Sequence, residues 1–200
     1  VSNPPSKRIP ILLLAAGSSS RMGQSKQLLL VNGKPLLQKT VEELIAADTG
    51  DVIVVLGSNT EAHKKVIADY PIQVIENADW QKGMGSSIRA GINYISNQLP
   101  GSQAIIISVC DQPHLSSTYI KDLIRTYTNN KKSIVASAYK NTIGVPVLFD
   151  QSHFEALSRI QDKEGAKKIL QKNISKVDSV SFPLGNIDLD TMEDYDTFNQ

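Results

Sequence analysis

The segment Ile9–Lys26, IPILLLAAGSSSRMGQSK, constrains the chain more than any other. Ile9 and Ile11–Leu14 form a short greasy run closed by Ala15-Ala16-Gly17, which reads as a buried strand of an α/β sheet. The loop leaving such a strand lies at the carboxyl edge of the sheet, where these folds bind ligands. Leu14 runs into Ala15, Ala16 and Gly17, which have almost no side chain, so a ligand can approach the backbone closely. The amides of the turn Ser18–Ser20 can point at anionic oxygens. Arg21 adds a planar fork of donors and Lys26 a point charge. The plainer alternative is an exposed loop with two solvated cations. A small-residue loop with two cations directly after a first strand favours the anion site.

Neither GxGxxG nor GxxxxGK[ST] is present here. Ile11–Leu30 instead resembles the signature LAAGxSxRMGxxKxLL of the molybdenum cofactor cytidylyltransferases, within the wider group of nucleotidyltransferases that carry an LxxGxxxRMG loop. The matching residues run from Leu14 to Gly23, followed by Lys26, Leu28 and Leu29.

Two hundred residues suit one domain with one sizeable core. With 21 Lys and Arg against 20 Asp and Glu, the charge balance is not that of a dedicated nucleic-acid or membrane-surface binder. No apolar run approaches the ~20 residues of a membrane span. Lys7-Arg8 before ILLLAA imitates a secretory signal, but Pro10 interrupts the run, and cleavage there would discard the loop. Residues 1–8, with Pro4-Pro5, read as a flexible leader before a domain over 9–200. The single cysteine, Cys110, cannot form an internal disulfide, which fits a cytoplasmic location.

Downstream, strand and helix patterns alternate. Leu28–Val31 and the Asn32-Gly33 turn lead to Pro35, suited to the first position of a helix. Leu36, Leu37, Val41, Leu44 and Ile45 recur at helical spacing, so Pro35–Ala47 is expected to pack one face on the sheet. Asp51–Gly57 is a second buried strand. Ser58 and Glu61 stand in capping-box relation and open a helix to about Asp69. His63 on that helix is expected at the surface, since it has no partner at metal spacing. Pro71–Glu76 is a third strand.

Asn77–Gly91, NADWQKGMGSSIRAG, leads into a helix over about Ser86–Asn97. Its glycines and serines suit either capping or contact with a polar ligand. Trp80 reads as a packing residue beneath the loop. The segment also resembles the family's NxxWxxGMGxSLxxG, with Ile88 in place of leucine. In the family this region holds the base and ribose, so the resemblance nominates Gly85, Ser86 and Ser87.

Gln103–Val109 is a fourth strand, followed directly by Cys110-Asp111-Gln112-Pro113. A carboxylate at the end of a buried strand is costly unless it is paired or binds a cation. A hard divalent ion, Mg2+ or Mn2+, is a natural partner. Ser116 and Ser117 already serve as caps for the next helix, over Tyr119–Thr128, which weakens a capping role for Asp111. The segment resembles the family's CDQPxLS. Cys110 reads as a small buried filler, because no histidine is placed to activate it.

Ser133–Ala138 is a further strand, and Lys140-Asn141-Thr142 turns into Gly144–Phe149. The family writes this last stretch GHPVLF, near the substrate phosphate; here Val145 replaces the histidine. Asp162–Leu170, DKEGAKKIL, resembles GDxGARxLL, with Lys163 where a short residue belongs and Lys167 in place of arginine. Lysine keeps the charge and loses the bidentate fork. Asp188–Asp194 resembles DIDTPED, with Met192 for proline. Thr191 can cap the final helix, with Asp194 at the capping-box position. In the family an aspartate of this motif meets the metal opposite Asp111. Asp188 is chosen for that role, with Asp190 as the runner-up.

The resemblance implies one three-layer α/β/α domain with a mostly parallel, Rossmann-like sheet, of the nucleotide-diphospho-sugar transferase type. It implies nucleotidyl transfer with Arg21, Lys26 and Asp111 catalytic and with metal on Asp111 and Asp188. Val145, Lys167 and Asp190 fall on the acceptor side. CTP and a phosphate-bearing pterin, molybdenum-bound molybdopterin, become the expected substrates, and a molybdoenzyme of the xanthine dehydrogenase type the recipient of the product. The Ala15-Ala16 pair favours the cytidylyl branch over the guanylyl branch, which shows LAGG. A sugar, polyol or isoprenoid-precursor phosphate as acceptor stays open, as does a non-catalytic cofactor carrier.

Overall fold

The computed structural model describes residues 8–198, so the expected leader lies, apart from Arg8, outside the described residues. Strands β1 (Ile11–Leu14), β4 (Val52–Leu56), β5 (Gln73–Glu76) and β6 (Ala104–Val109) are mutually parallel, with β1 between β4 and β6. Strand β8 (Thr142–Asp150) runs antiparallel to both β6 and β7 (Ile134–Tyr139). Strand β9 (Val177–Ser181) closes the far edge beside β7. The resulting seven-stranded sheet has the order β5-β4-β1-β6-β8-β7-β9, and a separate hairpin pairs β2 (Leu30–Val31) with β3 (Lys34–Pro35).

Side chains of the central strands alternate between two cores, as the two-residue period of a strand requires. Ile11 and Leu13 of β1 join one core with Val52, Val54 and Leu56 of β4. Helices α1 (Leu36–Ala46), α2 (Thr60–Ile67) and α4 (Ser117–Asn129) cover that face. Leu12 and Leu14 join the other core with Ile53, Val55, Ile105 and Ile107. There α3 (Met84–Gln98), α5 (Phe154–Ser158) and α6 (Ala166–Lys172) complete the third layer. The fold is the expected single-domain α/β/α sandwich. Because β1, β4, β5 and β6 are parallel, the loops that follow them lie on one edge, with the crevice between β1 and β6 where the strand order reverses.

Several local expectations hold. Asn32 and Gly33 both take positive φ, 54° and 79°, as a tight hairpin turn needs. Ser116 Oγ accepts the Tyr119 amide as N-cap of α4. Before α7 (Met192–Phe198), the Asp194 carboxylate accepts the Thr191 amide at 2.8 Å and Thr191 Oγ1 accepts the Asp194 amide at 3.2 Å. That is the reciprocal capping box read from the sequence.

Others need correction. Ser58 and Glu61 form no capping box. The cap of α2 is Asn59 in the left-handed region at φ 52°, while the Ser58 amide donates to Ala16 O. Asparagine tolerates that backbone well, and the Ser58 amide is spent on the β1 loop instead of opening the helix. His63 is not a surface residue either. It is wholly buried, with Nε2 2.6 Å from Ser25 Oγ. Strand β9 and helix α5 carry no sequence signal. The first is a half-exposed edge strand, VDSVS, and the second is little more than one turn long.

Burial holds the His63 imidazolium below its ordinary acidity range, so the folded chain prefers it neutral. A base whose folded pKa is lowered costs nothing above its unfolded value and destabilises the fold as pH falls below it. His114 and His153 act in the same sense, while Asp188, raised to about 6, acts in the opposite one. His63→Gln keeps a neutral N–H donor and isolates the one contribution. Between pH 7.5 and 5.5 this variant is expected to lose less stability in urea melts than the parent chain does.

Candidate active site

Parallel pairing brings the ends of β1 and β6 together at a cavity of ≈ 310 Å³. The first wall is Leu14–Ser18 with Lys26 and Gln27. Trp80, Gln81, Gly83, Met84 and Ser87 form the second, and Val109, Cys110 and Asp111 the third. Ala15 and Ala16 are buried but small, and Gly17 and Ser18 are exposed at the rim. The backbone at this edge is therefore accessible to a ligand.

An ion-pair chain crosses the mouth. Lys26 Nζ lies 2.7 Å from Asp111 and 2.9 Å from Asp190, and Arg21 lies 2.9 Å from the other oxygen of Asp190. The C-terminal segment is fixed there by its own backbone, since the buried Leu189 donates its amide to Asp111 O at 3.0 Å. Burial opposes the charge of Lys26, but Asp111 and Asp190 outweigh it and hold the ammonium above its usual range. Burial likewise opposes ionisation of Asp190, and Lys26 with Arg21 outweighs it, keeping the carboxyl below its usual range. Asp188 is different. Partial burial, then the charges of Asp111 and Asp190, push its carboxyl up to about 6.

The structure thus brings Arg21, Lys26, Asp111 and Asp190 into direct contact, with Asp188 close enough to feel both neighbouring carboxylates. Asp188 is the aspartate chosen from the sequence, whereas Asp190 is the one that touches the cations. Cys110 is buried, and burial first and the neighbouring Asp111 second push its thiol up to about 12. That environment suits a filler and not a nucleophile.

The turn before α3 is braced from within. Asn77 Nδ2 donates to Ser86 Oγ at 2.8 Å and to Ser87 Oγ at 3.0 Å. Ser86 Oγ lies 2.8 Å from Gly83 O and 3.0 Å from Asp79 O, so its hydroxyl is engaged inside the turn. Ser87 alone of the pair lines the cavity. Gly85 serves close approach: its amide donates to Asp162 O at 2.9 Å, and a Cβ there would sit 1.9 Å from Gln161 O. An Arg89–Asp162 ion pair ties the same two segments. Trp80 packs against the core beneath the loop, close to Gly57.

The acceptor-side residues are less united. Val145 O accepts Gln112 Nε2 at 3.2 Å, and the same amide group reaches Gly185 O at 2.8 Å, linking the β6 loop to β8 and the C-terminal segment. Lys167 is exposed and lines a separate cavity of ≈ 610 Å³ with Tyr139, Lys140, Ile143 and Gln171. Sequence reasoning misses Gln27, Gln81 and Met84 as cavity residues. Of these, Gln27 carries a signal in principle, because a glutamine inside an apolar KQLLL run must find internal partners if buried.

Residues 11–177 match the MobA-like NTP transferase domain family. Nicotine blue oxidoreductase of Paenarthrobacter nicotinovorans is 29% identical over 94% of this chain and 92% of its own length. Purine catabolism protein PucB of Bacillus subtilis is 26% identical over 94% and 96%. The crystal structure of Rv0371c from Mycobacterium tuberculosis superposes with a TM-score of 0.82 at 24% identity, covering 98% of each chain. In complex with manganese the same protein superposes at 0.79 and 23% identity, over 96% of this chain and 97% of that one.

The close approach at Gly85 makes a definite demand. Gly85→Ala must push the Gln161–Asp162 backbone away from α3, which is expected to cost about 1–3 kcal/mol, the usual range for overpacking. Denaturant melts of parent and variant give the difference directly.

Proposed function

The chain belongs to the MobA-like NTP transferase domain family and is a nucleotidyltransferase, and from that premise we propose that it joins CMP from CTP to the phosphate of molybdenum-bound molybdopterin. One observation carries the reading most: two cations and two carboxylates meet across a small-residue loop at the sheet's switch point. In the reaction an oxygen of the acceptor phosphate attacks the α-phosphorus of CTP. The α–β bridging bond breaks, and pyrophosphate leaves with that electron pair. The reacting groups are all anionic, so catalysis lies in positioning and charge neutralisation.

Arg21 and the amides of Gly17–Ser20 would hold the β- and γ-phosphates. Lys26 would exchange its carboxylate partners for the α-phosphate as charge builds there. An acceptor that is already an ionised phosphate needs no general base. Gly85, Ser86 and Ser87 would shape the seat of the base and ribose, with Ser87 facing the cavity.

A divalent cation, Mg2+ or Mn2+, fits the acidic side of this site. Asp111 and Asp188 offer hard oxygen donors, and the cluster gathers three carboxylates, Asp111, Asp188 and Asp190, against two cations, Lys26 and Arg21. No group of three or more His, Cys, Asp or Glu is placed to hold a metal among the described residues, so nucleotide oxygens and water would complete the shell. When bound, the ion would neutralise phosphate charge. No helix among the described residues is long and apolar enough to cross a membrane.

The name of the Bacillus relative, a purine catabolism protein, fits a recipient molybdoenzyme of the xanthine dehydrogenase type. A second reading keeps the chemistry and changes the acceptor to a sugar, polyol or isoprenoid-precursor phosphate. Val145 and Lys167 favour it, since both depart from the family pattern and Lys167 lines a separate cavity. The Paenarthrobacter relative carries an oxidoreductase name, and redox turnover without pyrophosphate release would point that way.

Incubation with each nucleoside triphosphate, magnesium and candidate acceptors decides among these. Pyrophosphate release with CTP and molybdenum-bound molybdopterin is expected; CTP turnover only with a polyol phosphate would reject the acceptor. Asp111→Asn is expected to lower turnover at least about 100-fold while the chain stays folded. Arg21→Ala, whose side chain is 70% exposed, is expected to raise the KM for CTP about tenfold without loss of stability. Near-normal turnover of Asp111→Asn at saturating magnesium would remove that carboxylate from the mechanism.

A further inference from the structure

Gln27 is only 1% exposed, yet its amide has all four of its hydrogen-bonding positions filled. Nε2 donates to Ala15 O at 3.1 Å and to Gly17 O at 2.9 Å. Oε1 accepts from Ser25 Oγ at 2.8 Å and from Ser19 Oγ at 3.2 Å. Ser19, in the left-handed region at φ 55°, also accepts the Lys26 amide at 3.0 Å. Behind Ser25 stands His63, wholly buried on α2. If the Ser25 proton goes to Gln27, then Ser25 accepts from His63 Nε2–H. His63 Nδ1 is then a bare acceptor, and it is one of the few buried polar atoms without a partner among the described residues. Such an uncompensated atom is costly. The nucleotidyl-transfer reading assigns no role to Gln27, Ser25 or His63.

Peptide planarity gives these contacts a direction. In a trans peptide the carbonyl of one residue and the N–H of the next point opposite ways. Holding Ala15 O and Gly17 O against Gln27 turns the amides of Ala16 and Ser18 away from it. Ala16, Gly17 and Ser18 line the cavity. We propose that Gln27, braced by Ser25 and the buried His63, is a positioning residue that fixes the peptides of the β1 loop so that the Ala16 and Ser18 amides serve a polyphosphate. The inference rests on the nucleotide reading of the loop. It adds three residues that act through the backbone of the loop.

Gln27→Met keeps the length and packing of the side chain and removes both donors. Calorimetry with inorganic tripolyphosphate in the presence of magnesium is expected to show about tenfold weaker binding by the folded variant. The KM for CTP should rise by a similar factor and kcat change less. His63→Phe, which keeps the ring and loses the donor, should weaken tripolyphosphate binding about threefold. His63→Gln, which returns an N–H, should restore most of that loss. If Gln27→Met does not fold, the His63 pair decides the matter alone. A lower Tm with unchanged tripolyphosphate affinity would reduce the network to a structural brace and overturn the inference. A parent chain that itself binds no tripolyphosphate with magnesium would overturn the nucleotide reading, and the inference with it, so the two failures are distinguishable.

Discussion

Everything at the site hangs on a strand of four residues that water does not reach. Ile11, Leu12 and Leu13 are completely buried and Leu14 nearly so, because β4 and β6 flank the strand while helices cover both its faces. Each fully buried aliphatic side chain contributes about 1.5–3 kcal/mol relative to exposure. Such a strand cannot slip by one residue, since a slip would exchange the sets facing the two cores. The position of Gly17 in space is therefore set by apolar packing well before any ligand arrives. The parallel partner β6 inherits the same register and delivers Asp111 to the opposite lip of the crevice.

Much of this is legible in the chain. Runs such as ILLL, VIVVL and AIIISV are long enough, and sufficiently unlike a helical repeat, to declare buried parallel strands. The Asn32-Gly33 turn and the Thr191–Asp194 box have stereochemical reasons that hold in any context. What escapes is decided by tertiary neighbours. The Ser58 amide is claimed by Ala16 O, which moves the helix start to Asn59. His63 reads as a surface residue because it has no partner at metal spacing, yet its helical face turns toward the β1 loop, where Ser25 waits. Strand β9 exists because β7 offers an edge, and no local pattern announces that.

The candidate site is legible in kind and less so in detail. The cations and carboxylates are visible as residue types, while their pairing is not. Asp188 and Asp190 are both visible as candidates, but which of them meets the cations depends on the Leu189 amide meeting Asp111 O. That bond joins residues on two separate segments, and no local pattern marks it. The glycines divide in a similar way. Gly17 is open at the rim, whereas Gly85 is needed where the backbone at Gln161 comes too close for any side chain.

The ion-pair chain at the mouth has a consequence for selectivity. Both cations of the loop are already matched by carboxylates of the same molecule, so a bare anion meets a surface with little positive field left over. To enter, it must compete with intramolecular partners whose effective concentration is high. On the proposed function, a polyanion escorted by its own divalent counter-ion would face no such contest, because the carboxylates released from lysine and arginine would find a new partner in the ion as the phosphates take theirs. On that reading the resting arrangement would discriminate against free orthophosphate and other small anions without any steric gate.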